Sequence, residues 1–372
     1  MQLSQRRPIW PMFKQRLAVF DGPLSLIIGL LVSVGLVTLY SAGIDLPGIV
    51  ENQIRNLLVA AIVMWLTANV QPQTLMRFAA PIYTMGIVLL LAVAVVGTVK
   101  LGARRWLNLG VANFQPSEIM KIAMPLMLAW FFQKREGLIG WREYGVAAIL
   151  LAIPVGLIAK QPDLGTALLV LAAGFYIIFL AGLSWKVLLG LVFAVGASLP
   201  VIWSFFLHSY QRERIKMLID PTSDPLGKGF HIIQSTIAVG SGGVTGKGWL
   251  QGTQAHLEFI PERTTDFIFA VFSEEFGLIG NIILMTLYLL LIGRGLIIAA
   301  NAPTLFTRLL AGAITMIFFT YAFVNMGMVS GILPVVGVPL PFMSYGGTSL
   351  LTLGLGAGML MSIQKNRKLV QS

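Results

Sequence analysis

Long apolar runs separated by short polar gaps dominate the chain, Leu24–Tyr40 and Ile282–Ile292 among them. A helix that crosses a bilayer needs about 20 mostly apolar residues. On that criterion the pattern predicts ten spans, at roughly 24–43, 55–70, 80–99, 117–133, 144–160, 164–182, 186–206, 267–299, 307–332 and 348–364. The second and fourth are short, and the eighth has room for a tilted or extra-membrane turn. The expected fold class is an all-α polytopic membrane protein of about ten transmembrane helices, with a large extracytoplasmic loop, 207–265, between helices 7 and 8. The whole chain, 1–372, is expected to form one transmembrane domain, with an N-terminal arm at 1–20 and a tail at 365–372.

An even number of spans puts both termini on one side, and the charges indicate which. Arg6, Arg7, Lys14 and Arg16 precede the first span, while Lys365, Arg367 and Lys368 follow the last. Loops on that side add Arg77, Lys134, Arg135, Arg142, Lys186, Arg294 and Arg308. Cytoplasmic loops carry the excess of Lys and Arg, so both termini are expected in the cytoplasm. One outer loop departs from this pattern: KLGARRW places Lys100, Arg104 and Arg105 on the far side. Topology does not account for them, whereas an anionic ligand would.

Composition supports the membrane assignment. Of the 372 residues 56% are hydrophobic and 11% charged, and mean hydropathy is +0.83. Soluble domains carry about 25% charged residues. No small-residue cleavage site follows the basic N-terminus, so the first helix is expected to stay. The net charge of +11 is scattered between the spans, a pattern that sets topology and attracts anionic lipid; no nucleic-acid partner is expected. Cysteine is absent, which excludes disulfides and thiolate metal sites. The two halves show no internal repeat, which weakens a transporter reading.

Polar chemistry collects in a few places. In LEFIPERTTDFIFAVFSEEF, Asp266 stands where an apolar helix begins, with Glu262 and Arg263 beside it. It could cap that helix by accepting its first free amides. A carboxylate at a membrane edge is also costly enough to suggest function, and one oxygen could cap while the other faces a substrate. In FQPSEIMKIAMP, Glu118 and Lys121 lie three apart, spacing that suits a buried ion pair or a cation lent to a cavity. Asp163 in QPDLGT reads as an N-cap. The uncharged segment PVVGVPLPFMSYGGTS holds Pro334, Pro339 and Pro341, and such backbone survives at membrane depth only against protein or a wet cavity. GSGGVTGKG at 240–248 lacks the spacing of a nucleotide loop and reads as tight turns, with Lys247 available to an anion. His208, His231 and His256 are too scattered to suggest a metal site, and Glu274 and Glu275 read as pairing residues.

Together these blocks resemble the SEDS family (shape, elongation, division and sporulation), and its elongation branch rather than its division branch. The resemblance runs from RRWLNLGVANFQPSEIMKIAMPLM through AKQPDLGTALLV and DPLGKGFHIIQSTIAVGSGGVTGKGWLQGTQAHLEFIPERTTDFIFAVFSEE to SYGGTSLL. It implies ten transmembrane helices and a peptidoglycan glycosyltransferase that polymerises lipid II during cell elongation. It also implies a class B penicillin-binding transpeptidase as partner, within the elongation machinery. The family's essential acid maps onto Asp266, its Glu/Lys pair onto Glu118 and Lys121, and its RRWL motif onto Arg104, Arg105 and Trp106.

Lipid II is a disaccharide-peptide on a polyprenyl pyrophosphate, so its sugar must react at the outer surface while its tail stays in the bilayer. Asp266 is expected to act as general base at that surface. Charge developing on the pyrophosphate would be met by Arg104, Arg105, Lys121, Arg212, Lys247 or Arg263, or by a divalent ion such as Mg or Mn. No metal site is visible in the sequence. A lipid II flippase and a non-catalytic scaffold for the transpeptidase are the rival readings.

Overall fold

The protein is described from a computed structural model covering residues 19–370, apart from 101–102, 109–112, 207–208, 226, 228, 258 and 261. Nearly all of the N-terminal arm and His208 therefore lie outside the described residues, as do the side chains of Arg104 and His256. The chain folds as a helical bundle with one small sheet. Helices α1 (Gly22–Ala42), α2 (Ile49–Ala68) and α3 (Pro72–Val96) lead to a small antiparallel sheet of β1 (Thr98–Lys100), β2 (Ala103–Asn108) and β3 (Asn113–Phe114). Then follow α4 (Pro116–Lys134), α5 (Trp141–Lys160), α6 (Leu164–Leu180) and α7 (Trp185–Val201). The polar segment after α7 contains α8 (Ser209–Ile219) and α9 (Phe230–Ser241), and α10 (Ile268–Ala300), α11 (Leu305–Val329) and α12 (Gly347–Val370) complete the bundle.

Helices α1, α2, α3, α5, α10 and α11 are long and apolar enough to cross a membrane, while α6 and α7 are shorter apolar helices. The apolar pattern did not anticipate the sheet. Chain that leaves a helix still needs partners for its amides and carbonyls. Here Val99 pairs with Arg104 and Leu107 with Phe114, so the RRW segment is a strand rather than an open loop.

The centre is made by α4, α6 and α11, which pack on one another. Along α4 almost every residue from Met120 to Phe132 is buried, whereas α7 buries none. In a bilayer an apolar helix with no buried face presents its side chains to lipid. Helices α2 and α12 pack through small residues, as membrane helices do. A Cβ on Gly354 would stand 2.7 Å from the Ala60 carbonyl, and one on Gly358 2.5 Å from that of Met64. At one end of the bundle Asp21 caps α1 through the Leu24 amide and receives Arg294 of α10, ion-paired at 2.5 Å.

The length of the eighth predicted span has a structural cause. Helix α10 breaks at Gly277, whose φ of 61° and ψ of −158° are open essentially to glycine alone. The glycine-rich loop docks into the break. Lys247 and Gly248 donate their amides to the Glu274 and Glu275 carbonyls, and Leu278 and Ile279 donate theirs to Gly243 and Val244. The loop thus supplies the hydrogen bonds that the helix loses. A Cβ on Gly277 would collide with the Gly246 amide nitrogen. Gly277→Ala is therefore expected to lower the melting temperature in detergent by several degrees. Gly293→Ala, with open space around the added methyl, should leave it unchanged.

Candidate functional site

Irregular chain between α11 and α12, residues 330–346, turns back into the bundle at the end opposite Asp21. Its prolines cannot donate, and its remaining polar groups are in apolar surroundings, where an unpaired group is expensive. Named side chains meet the need. Asn325 of α11 donates to the Val338 carbonyl at 2.7 Å, Tyr288 to that of Pro341 at 2.7 Å, and Gln53 to that of Ser344 at 3.0 Å. The Leu340 amide donates to Ser344 Oγ, which donates in turn to the Thr265 carbonyl at 2.6 Å.

That last bond begins the connection to Asp266. The Tyr345 amide donates to the Thr264 carbonyl at 2.9 Å, and the second Asn325 amide hydrogen reaches the Asp266 carbonyl at 2.8 Å. The Thr264–Asp266 backbone is therefore fastened to the irregular segment on both sides of the carboxylate. Gly337, at φ 73°, lies directly against it: a Cβ there would stand 3.2 Å from Asp266 Oδ2.

Asp266 does not cap the helix. Phe267 occupies the cap position of α10 and makes no side-chain cap hydrogen bond. Among the described residues the Asp266 carboxylate has no hydrogen-bond partner, although it is half-buried. Burial first, and the negative charge of Glu262 second, push its pKa up to about 6. The His231 ring stacks on Phe267 with centroids 6.1 Å apart, and its Nδ1 is buried without a partner. Burial lowers the His231 pKa, while Glu262 acts in the opposite sense.

Asp163 does act as an N-cap, accepting from the Thr166 amide at 3.2 Å while its other oxygen accepts from Gln115 at 2.9 Å. Just ahead of it Arg105 donates to the Gln161 carbonyl at 3.3 Å and to that of Pro162 at 2.5 Å. Gly165 packs on the Val336 carbonyl at 2.5 Å from its would-be Cβ, so this turn abuts the segment that carries Gly337. Trp106 is half-buried in β2 beside Arg105, and Arg104 occupies the same strand. Below, Glu118 and Lys121 form a buried ion pair at 2.5 Å. Lys121 also donates to Tyr321 OH at 2.6 Å, and Thr352 donates to Glu118 at 3.4 Å. Tyr321 shares a buried apolar cluster with Val338, the residue after Gly337.

The structure thus gathers Asp266, Arg105, Asp163 and the Glu118–Lys121 pair around one irregular segment. It gives the other expected cations separate partners. Lys247 is paired with the fully buried Glu274 at 2.6 Å, and Arg263 donates to the Ala42 carbonyl at 2.7 Å and pairs with Asp45 at 2.5 Å. Arg212 donates to the Ser204 carbonyl at 2.9 Å. Glu274 and Glu275 serve as pairing residues, Glu275 accepting from Ser41 and the Leu250 amide. Sequence reasoning passed over Asn325, Tyr321, Gln115 and Gly337. Asn325 left one signal, a buried amide in an otherwise apolar helix. Among the described residues no group of three or more His, Asp and Glu side chains could hold a metal ion.

This is a polytopic membrane protein with a half-buried carboxylate held at a helix start beside an irregular segment. Residues 17–369 match the model of the FtsW/RodA/SpoVE family, described as cell cycle proteins, and the chain belongs to that family. It is 50% identical over 347 residues to the peptidoglycan glycosyltransferase MrdB of Escherichia coli K12, covering 93% of this chain and 94% of that one. A chain from a peptidoglycan synthase complex that coordinates polymerization and crosslinking superposes with a TM-score of 0.81 at 36% identity, covering 94% of this chain and 98% of that one. The rod shape determining protein RodA of Thermus thermophilus gives a TM-score of 0.71 at 30% identity, covering 94% and 97%.

Asn325→Leu keeps much of the volume and removes both donors, leaving the Val338 and Asp266 carbonyls without them. With a cost of roughly 1–3 kcal/mol for each buried group left unmet, the variant should melt several degrees below the parent. An unchanged melting temperature would show that the segment is held by other means.

Proposed function

We propose that the chain joins lipid II into glycan strands at the Asp266 end of the bundle, with that carboxylate as general base. Its activity class, peptidoglycan glycosyltransferase, is that of its relatives. One observation carries the assignment of the base: the Asp266 carboxylate is half-buried, partnerless among the described residues, and has a pKa raised to about 6. A base tuned toward neutral pH accepts a proton more readily than an ordinary aspartate while remaining ionised at pH 7.

In this mechanism Asp266 takes the proton from the 4-hydroxyl of the acceptor's GlcNAc. The freed oxygen forms a bond to the anomeric carbon of the lipid-linked donor strand, and the bond from that carbon to the pyrophosphate oxygen breaks. Attack from the opposite face inverts an α-linkage to β. Polyprenyl pyrophosphate leaves as a stable anion, so no second carboxyl group is needed to protonate it, unlike the alcohol released by glycosidases.

Positive charge must meet the departing diphosphate. Arg105 has the strongest claim, since among the described residues its guanidinium meets only the neutral carbonyls of Gln161 and Pro162. Arg104 and Trp106 share its strand. Lys121 would act through the field of the Glu118 pair, whereas Lys247, Arg263 and Arg212 hold the surrounding loops. A divalent ion such as Mg or Mn, carried in by the diphosphate, would act at the same place.

The ten helices α1–α7 and α10–α12 are assigned as ten crossings of the bacterial inner membrane. Both termini would then be cytoplasmic, and the 207–265 segment and Asp266 extracytoplasmic, where the sugar of lipid II is presented. The proposed partner is a class B penicillin-binding transpeptidase within the elongation machinery. The crosslinking function of the related complex supports this pairing.

Purified Asp266→Asn should polymerise lipid II in detergent about 10²–10⁴-fold more slowly than the parent. Near-normal output from a folded sample would end the general-base assignment. Strand formation by the parent separates this reading from a flippase or a scaffold, neither of which forms a glycosidic bond.

The rate should fall as pH drops through about 6, where Asp266 takes up a proton in the folded protein. Glu262→Gln removes a negative charge that raises this pKa, so the acid limb should move to lower pH. A limb that stays in place or moves upward would exclude Asp266 as the titrating group.

A further inference from the structure

At the end of the bundle away from Asp266, α3 and α4 enclose a cavity of 380 Å³ lined by Gln73, Met76, Arg77, Ala80, Trp130 and Lys134. It adjoins a second cavity of 480 Å³, with which it shares Gln73 and Met76. Three polar side chains of the second are already engaged: Gln133 accepts from the Phe306 amide, and Thr304 and Thr307 bond each other. The first cavity differs. Arg77 has no hydrogen bond or ion pair among the described residues, and Lys134 rests its ammonium over the Trp130 ring, 4.7 Å from the centroid. By contrast, Arg135 and Arg294 at the same end face Glu143 and Asp21.

Two cations without an acidic partner among the described residues therefore share one pocket, whose remaining wall is apolar apart from Gln73. Met76, Ala80 and Trp130 form that wall, and tryptophan is enriched at the level of lipid headgroups. Beyond Arg77 the same face of α3 continues through the exposed side chains Pro81, Val88 and Leu91. Charge at one end and an apolar track leading away from it match a molecule with a phosphate and acyl chains. A soluble phosphate would use only the first.

We propose that this cavity holds the headgroup of an anionic phospholipid, its phosphate between Arg77 and Lys134 and its chains along α3. The site is separate from the reaction centre, since Lys134 lies about 20 Å from Lys121 along α4 at 1.5 Å per residue. The proposal does not depend on Asp266 being the base.

The test is native mass spectrometry of the full chain in detergent with phosphatidylglycerol or phosphatidylcholine at equal concentration. The parent should retain phosphatidylglycerol in preference. Arg77→Gln and Lys134→Gln should each weaken retention about fivefold and together about 25-fold, as removal of single basic contacts to anionic lipid does. The swap Arg77→Lys with Lys134→Arg keeps the charge and should keep the lipid. Normal lipid II polymerisation by the double Gln variant would show that it is folded. Equal retention of phosphatidylcholine, or unchanged retention by that variant, would overturn the proposal. Displacement of the lipid by equimolar inorganic phosphate would overturn it too, identifying a free phosphate as the ligand.

Discussion

Backbone polar groups inside an apolar body must find partners within the protein, and in this structure that requirement is most severe between α11 and α12. Helices satisfy it automatically; the irregular chain at 330–346 cannot. Gln53, Tyr288, Asn325 and Ser344 reach it from α2, α10, α11 and the segment itself. Because these partners come from separate helices, the segment also ties the bundle together.

The position of Asp266 follows from that arrangement. Asn325 divides its amide between Val338 and Asp266, and Ser344 continues from Leu340 to Thr265. The backbone of the acidic turn is held by groups whose first task is to satisfy the irregular segment. Among the described residues its carboxylate is left without a bond, and Gly337 gives it room. Asp266 is thus fixed through its main chain rather than through its side chain. Burial raises its pKa as a consequence of the same packing.

Helix α10 meets the same constraint by a different route. Its break at Gly277 would leave backbone groups unpaired, and the glycine-rich loop supplies them. Pairing of Glu274 with Lys247 and contacts from Glu275 to the Leu250 amide fasten the loop further. The first part of α10, from Ile268 to Glu275, is buried throughout and forms a firm base next to Asp266. Charges in this region therefore divide into those that hold loops, such as Lys247 and Arg263, and those with neutral partners, such as Arg105.

Much of this was legible in the linear chain. Apolar runs of about 20 residues mark membrane helices whatever their neighbours do, and the motif blocks carried the family. Asp163 was readable as a cap because capping is local, its partner Thr166 lying three residues away. Asp266 offered the same local signal and does not cap, since its geometry is set by Asn325 and Ser344, about 60 and 80 positions distant. The sheet at β1–β3 escaped the apolar pattern because pairing, rather than hydropathy, creates it. Which cations remain without an acidic partner was also undecided by sequence: Lys247, Arg263, Arg105 and Arg77 look alike along the chain. Only folding brought Glu274 to Lys247 and Asp45 to Arg263, because a salt bridge depends on distance in space, and hydropathy and spacing do not record contacts between remote segments.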